Sequence, residues 1–264
     1  MGWFDRFAVQ TSYQAGRRLT GILRYRELTD RYFGAFFKAN LLTIFGFLPM
    51  GIGFLFVSGT GNPALVLAVF IVGGGIAAPF LAGLYDAVYR ALRDAPGSWF
   101  ENYRKAWRQN WRSSIVPGMV FGLLLGSYSL SGMTLLMSRQ SLWTVAVIFF
   151  SLILFTMFFS VYWPLLALMD QTVSVGIQNC LMFLLKEFWK VLGIALLQAA
   201  YWIAIVLFFP LSLLTLPILG FWFILFTANF LIYGAMNAVF RIEEQIAAVY
   251  PEQAADYRLD GPLP

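Results

Sequence analysis

Six long apolar stretches divide the chain, at about residues 41–58, 64–84, 115–137, 142–168, 191–213 and 216–240. Each reaches or approaches the ~20 apolar residues that a helix needs to cross the hydrocarbon of a bilayer. The short alternating segments of a membrane barrel are missing from the pattern. The periodicity therefore predicts an all-α, polytopic membrane protein: a six-span transmembrane helical bundle with cytoplasmic amphipathic helices. Polar stretches mark the remaining organisation. Residues 1–38 form an amphipathic N-terminal segment, 39–240 the transmembrane domain with loops at 86–113 and 170–190, and 241–264 an acidic tail.

In the N-terminal segment Arg17, Arg18, Arg24, Arg26 and Arg31 interleave with Leu19, Ile22, Leu23, Tyr25 and Leu28. That pattern predicts one or two helices lying on the membrane surface. The loop after the second stretch is richer. Pro96 and Gly97 break it, Ser98 stands where a helix N-cap belongs, and Glu101 takes the capping-box position. At about 100° per residue, Trp99, Tyr103, Trp107 and Trp111 stay on one slowly rotating face, joined by Phe100. Arg104, Lys105, Arg108 and Arg112 fall on the adjoining sector, and Asn110 interrupts the aromatic face. Rings of this kind suit the headgroup region, with cations reaching anionic lipid. The segment is read as a membrane-interface or partner-docking surface. The plainer reading is a charged loop that fixes topology, and it is preferred because the aromatic face covers only about four turns.

Charge adds orientation. Only 12% of the 264 residues are charged while 60% are hydrophobic, against about 25% charged in a soluble domain. Seventeen of the 18 Lys and Arg residues lie in segments 1–38, 86–113, 170–190 and 241–264; Arg139 is the exception. All 13 acidic residues share that side. The positive-inside rule then places both termini in the cytoplasm of a multi-pass protein of the bacterial cytoplasmic (inner) membrane. The net charge of +5 is sorted by membrane side, so it does not point to nucleic acid. Residues 1–38 also lack the unbroken apolar core of a secretory signal peptide.

Inside the spans, Gly118, Gly122 and Gly126 recur every four residues, which lines up three bare positions for close approach of another helix. Packing within the chain is the expected use, ahead of dimerisation. Pro79 and Pro164 each free the carbonyl four residues back, Gly75 and Ser160, and are expected to kink their helices. The segments that follow, Pro79-Phe80-Leu81-Ala82 and Pro164-Leu165-Leu166-Ala167, are alike, and Asp86 and Asp170 come shortly after each. No titratable residue occupies the middle of a span, which argues against ion-coupled transport. Gln198 and Asn229 are read as interhelical hydrogen-bonding residues.

Candidate chemistry is sparse. Histidine is absent and Cys180 stands alone, so the commonest metal ligand and any internal disulfide are ruled out. No phosphate-cradling loop is present, because Gly59-Thr60-Gly61 lacks the lysine. The expectation is no catalytic residue, no metal and no cofactor. An Asp86 and Asp170 pair is the one arrangement that would serve an enzyme.

Three stretches carry a family resemblance. Phe45-Gly46-Phe47-Leu48-Pro49, Ala78-Pro79-Phe80-Leu81-Ala82-Gly83-Leu84-Tyr85, and the aromatic and basic run from Trp99 to Trp111 resemble the YesL-like family of bacterial integral membrane proteins. Ile177-Gln178-Asn179-Cys180-Leu181 is also similar. The chain departs from that pattern in a longer basic N-terminus and an insertion before Pro79. The resemblance implies an association with carbohydrate uptake or utilisation, and no reaction or functional residues. The resulting expectation is a non-enzymatic accessory component that contacts the lipid bilayer and anionic headgroups and docks a membrane transport complex on its cytoplasmic face. Alternatives are an uncoupled transporter or channel for a small solute, and a membrane-embedded enzyme on lipid-linked substrates.

Overall fold

A computed structural model of the chain describes residues 19–95, 97–138, 141–169 and 171–249. The described residues form helices α1 (Gly21–Ser58), α2 (Pro63–Leu92), α3 (Trp99–Met137), α4 (Leu142–Leu168), α5 (Val173–Lys186), α6 (Phe188–Leu207), α7 (Gly220–Phe240) and α8 (Ile242–Val249), with a 3-10 turn at Leu211–Leu214. No strand occurs among them. Helices α1, α2, α3, α4, α6 and α7 are each long and apolar enough to cross a membrane. Their outer faces leave Phe45, Ile52, Leu55, Phe56, Val116, Leu123, Val147, Phe150 and Leu154 open. Water does not tolerate so large an apolar surface, whereas hydrocarbon solvates it. The protein is an all-α, multi-pass membrane bundle.

Helix α2 is the axis of the bundle. It packs most extensively on α3 and then α1, and also touches α4 and α7, while α6 bridges α4 and α7. Asn62 caps its start by accepting from Ala64 N at 3.0 Å, and Pro63 takes the first helical position. The contact with α3 is close because the facing residues are glycines. A Cβ added at Gly74 would lie 2.8 Å from the Gly122 Cα, and one at Gly118 would lie 2.6 Å from the Gly74 oxygen. Gly126 faces the Phe70 side chain. Helices α2 and α4 run without interruption through Pro79 and Pro164, both of which are buried.

Several boundaries differ from expectation. Residues 21–38 are not separate surface helices but the first half of the 38-residue α1. Tyr25, Leu28, Tyr32, Phe36 and Ala39 share one face by three- and four-residue spacing, and that face finds α7. The Tyr25 ring lies 5.0 Å from Phe226, and Phe36 stacks on Trp222 at 5.3 Å. Segments 1–18 and 250–264 lie outside the described residues. The basic stretch after Ser98 is likewise continuous with the third span, in a 39-residue α3. Ser98 holds the N-cap position but makes no side-chain capping bond.

Loop 170–190 contains α5, whose Gly176, Cys180 and Phe183 are buried at i, i+4 and i+7. Cys180 Sγ donates to the Phe158 oxygen of α4 at 3.4 Å. The fifth apolar stretch ends early, at Leu207, since Pro210 cannot continue the helix.

Helix α7 starts beside the middle of α1, and α1 caps it. Leu219 offers no side-chain cap. Asn40 Oδ1 instead accepts from Phe221 N at 2.8 Å and Trp222 N at 3.4 Å, while its Nδ2 donates to the Leu216 and Pro217 oxygens at 3.0 Å each. One buried amide thus satisfies the orphan donors of a helix start and the carbonyls of the turn before it.

Candidate functional site

The end of the bundle where α2 and α7 finish and α1 begins carries most of its buried charge. Asp86, Arg90 and Arg93 recur at i, i+4 and i+7, one stripe along the last turns of α2. Arg90 Nε donates to Asp86 Oδ2 at 2.7 Å. The helix then stops in a left-handed turn. Asp94 takes φ 55°, Ala95 N donates to the Arg90 oxygen at 2.9 Å, and Asp94 N donates to the Ala91 oxygen at 3.2 Å, which satisfies two terminal carbonyls. Arg24 of α1 donates to the Asp94 carboxylate and to Glu27 at 2.9 Å, and Arg31 lies 3.5 Å from Asp94. This network ties the start of α1 to the end of α2. Tyr89 OH reaches Asn229 Oδ1 at 2.8 Å and joins α2 to α7, as expected for Asn229. Gln198 is buried too, but its Nε2 has no hydrogen-bond partner among the described residues.

Arg93 differs from Arg24. It is only 5% exposed, its Nε donates to the Tyr89 oxygen at 3.2 Å, and its Nη1 is buried with no hydrogen-bond partner among the described residues. Burial pulls its pKa below the usual guanidinium value, while Asp86, Tyr233 and Glu243 oppose that pull. Glu243 itself accepts from Tyr233 OH at 2.6 Å.

Arg93 borders a cleft of about 970 Å³. Helix α2 supplies Asp86, Arg90 and Arg93 to it, and α3 supplies Lys105, Gln109, Asn110, Arg112 and Ser113. The α4–α5 junction adds Tyr162, Leu166, Gln171, Thr172 and Asn179. The α7–α8 junction adds Phe240, Arg241, Ile242, Gln245 and Ile246. Among the described residues the lining carries five cations against one carboxylate, with five carboxamides. Asn179 Nδ2 donates to Gln171 Oε1 at 2.8 Å across one wall. Arg241 is placed by the turn between α7 and α8, where it adopts φ 47°. The cleft can donate many hydrogen bonds in a positive field, which is the chemistry of anion recognition.

The residues singled out in the sequence separate into three groups. Tyr103 and Trp107 turn inward, with Tyr103 OH donating to the Phe80 oxygen at 3.2 Å and Trp107 set edge-on to Phe80 at 6.0 Å. Trp99 lies 5.8 Å from Tyr103, and its ring lies under Lys38 Nζ at 5.5 Å. Phe100 and Trp111 are exposed, and Arg104 and Arg108 project from α3 outside the cleft lining. Lys105 and Arg112 line the cleft, with Arg112 over the Trp111 ring at 5.2 Å.

Asp86 is ion-paired, and Asp170 lies outside the described residues, so the carboxylate pair has no described geometry. Among the described residues no three His, Cys, Asp or Glu side chains cluster as metal ligands would. The cleft residues that sequence reasoning passed over are chiefly Arg90, Arg93 and Gln109. The signal for the first two was the stripe from Asp86 at helical spacing. Compared with protein-family profiles, with curated proteins and with solved structures, the chain has no match.

Proposed function

We propose that this protein is a non-enzymatic component of a bacterial cytoplasmic membrane which receives a partner at its charged end. The observation that carries this reading is the cleft, a preformed basic recess open at the end of a bundle whose other described surfaces are mostly apolar. The sorting of Lys and Arg supports placing that end, and both termini, on the cytoplasmic side. Asp86, the described carboxylate that an enzyme on lipid-linked substrates would use, is already engaged with Arg90, which favours a structural use. The resemblance to YesL-like proteins supports an accessory role beside a carbohydrate-uptake complex, docked on the exposed Arg104, Lys105 and Arg108.

Two measurements test it. Single cysteines at the Arg104 and Arg108 positions should react with a membrane-impermeant maleimide in inverted vesicles and not in intact cells. Labelling in intact cells overturns the orientation. Uptake-complex subunits should copurify with the wild type and be lost with Arg104→Gln, Lys105→Gln and Arg108→Gln combined. Unchanged copurification overturns the docking surface.

A further inference from the structure

We infer that the cleft at the charged end is a binding site for a phosphate ester whose body is bulky and partly apolar. The inference deepens the reading just given, since it rests on that end facing the cytoplasm, where such esters are found.

Among the described residues, four of the five lining cations are arginines: Arg90, Arg93, Arg112 and Arg241. A guanidinium presents a planar fork that matches phosphate oxygens two at a time, which an ammonium cannot do. Arg93 adds a buried guanidinium with an unused donor, the one such arginine in the described lining. Arg93 lines the recess, and among the described residues its buried Nη1 has no hydrogen-bond partner. Asp86, the one carboxylate of the described lining, commits an oxygen to Arg90. A charge held out of water normally has anions and hydrogen bonds to compensate it; Asp86 and Glu243 offset only part of the burial of Arg93, and an incoming phosphate would supply a further anion and acceptors.

Size and lining describe the rest of the ligand. The cleft is at the upper end of the roughly 300–1,000 Å³ usual for small-molecule sites, far larger than orthophosphate needs. Leu166, Phe240, Ile242 and Ile246 give it an apolar wall. Gln109, Asn110 and Gln245 offer donors and acceptors suited to hydroxyls. Two sources share this chemistry: the headgroup of a membrane phospholipid, and a soluble phosphate ester such as a sugar phosphate.

The test uses the full chain purified in a neutral detergent and stripped of lipid. Glucose 6-phosphate is titrated calorimetrically in one arm. Dihexanoyl phosphatidylglycerol, below its micellar concentration, is titrated in the other. Saturable binding in the first arm assigns a soluble ester, and in the second arm alone a headgroup; either supports the site.

The variant is Arg112→Gln with Arg241→Asn, both at exposed positions, with Asn chosen because it tolerates the left-handed backbone at 241. Removing two charge-assisted hydrogen-bond donors should weaken binding about tenfold or more. Lys186→Gln with Lys190→Gln removes the same charge outside the cleft lining and should leave affinity within about twofold. Absence of saturable binding in both arms overturns the proposal, and so does equal weakening by the two charge removals. Neither result touches the maleimide sidedness experiment, so failure of the ligand assignment is separable from failure of the orientation.

Discussion

Replacing Gly122 by alanine tests the contact on which the bundle is built. A Cβ there would overlap the Phe70 carbonyl oxygen and lie 3.2 Å from the Gly74 Cα. Both obstacles are backbone atoms of α2, so no rotamer change relieves them, and the two helices must separate. Overpacking of this kind costs about 1–3 kcal/mol. Breaking a close Cα–H···O interaction as the helices part adds about 0.5–1 kcal/mol. Against that, alanine gains about 0.5–1 kcal/mol over glycine in a helix. The net expectation is a destabilisation of about 2 kcal/mol, or roughly 4–8 °C in Tm at about 2–4 °C per kcal/mol.

The same helix supplies its own controls. At Gly126 the obstacles are the Phe70 Cβ and Cγ at 2.9 and 3.0 Å and the Leu67 Cδ2 at 3.3 Å, so side chains can give and the destabilisation should be about half as large. At Gly132 nothing lies within 4 Å, and alanine should raise Tm by a degree or two through helix propensity alone. The assay is thermal unfolding of the detergent-purified protein followed by tryptophan fluorescence. If Gly122→Ala and Gly132→Ala shift Tm alike, the glycine stripe is not at a helix contact. If Gly122→Ala leaves Tm unchanged but dissociates a dimer on size exclusion, the stripe serves a second copy rather than α2.

Three further outcomes follow from buried polar groups. Asn40→Leu strands the Phe221 and Trp222 amides and the Leu216 and Pro217 carbonyls, and should cost about 3 kcal/mol or more; Asn40→Asp keeps the acceptor at the start of α7 and should retain part of the stability in the same melts. Arg24→Met removes the buried ion-pair partner of Asp94 and should cost about 3–5 kcal/mol. Adding Asp94→Asn should recover at least half of that deficit, and a double variant no better than the single one refutes the coupling. Burial pushes the Cys180 thiol up to about 12, so it stays protonated across pH 7–9, where an exposed thiol begins to ionise. Native protein should therefore resist maleimide at pH 7.5 and react fully in dodecyl sulfate; rapid native labelling would show that α5 does not cover it.

Hydrocarbon imposes a one-dimensional rule, and for that reason six spans were readable from the chain. A run long enough and free of charge in its middle can do little else. The amphipathic segments obey no such rule. Tyr25, Leu28, Tyr32 and Phe36 would suit a lipid headgroup layer as well as they suit α7, and nothing local chooses between them. Trp99, Tyr103 and Trp107 posed the same choice; Tyr103 and Trp107 in fact lean on Phe80 of α2. An apolar face reports that it will be covered, not by what.

The cleft was further from view, because it exists only where four separate stretches converge. Asp86, Arg90 and Arg93 could have been recognised as one helical stripe. Their roles, though, diverge for tertiary reasons: Arg90 finds Asp86 four residues back, while Arg93 bonds the Tyr89 carbonyl through Nε and, among the described residues, leaves Nη1 without a hydrogen-bond partner. Spacing along a helix fixes which side chains share a face, and packing decides which of them keeps an unused donor. Recognition chemistry depends on the second quantity. A basic stripe at a membrane-helix end is therefore weak grounds for a ligand site until one of its members is found buried and charged with a donor left unused.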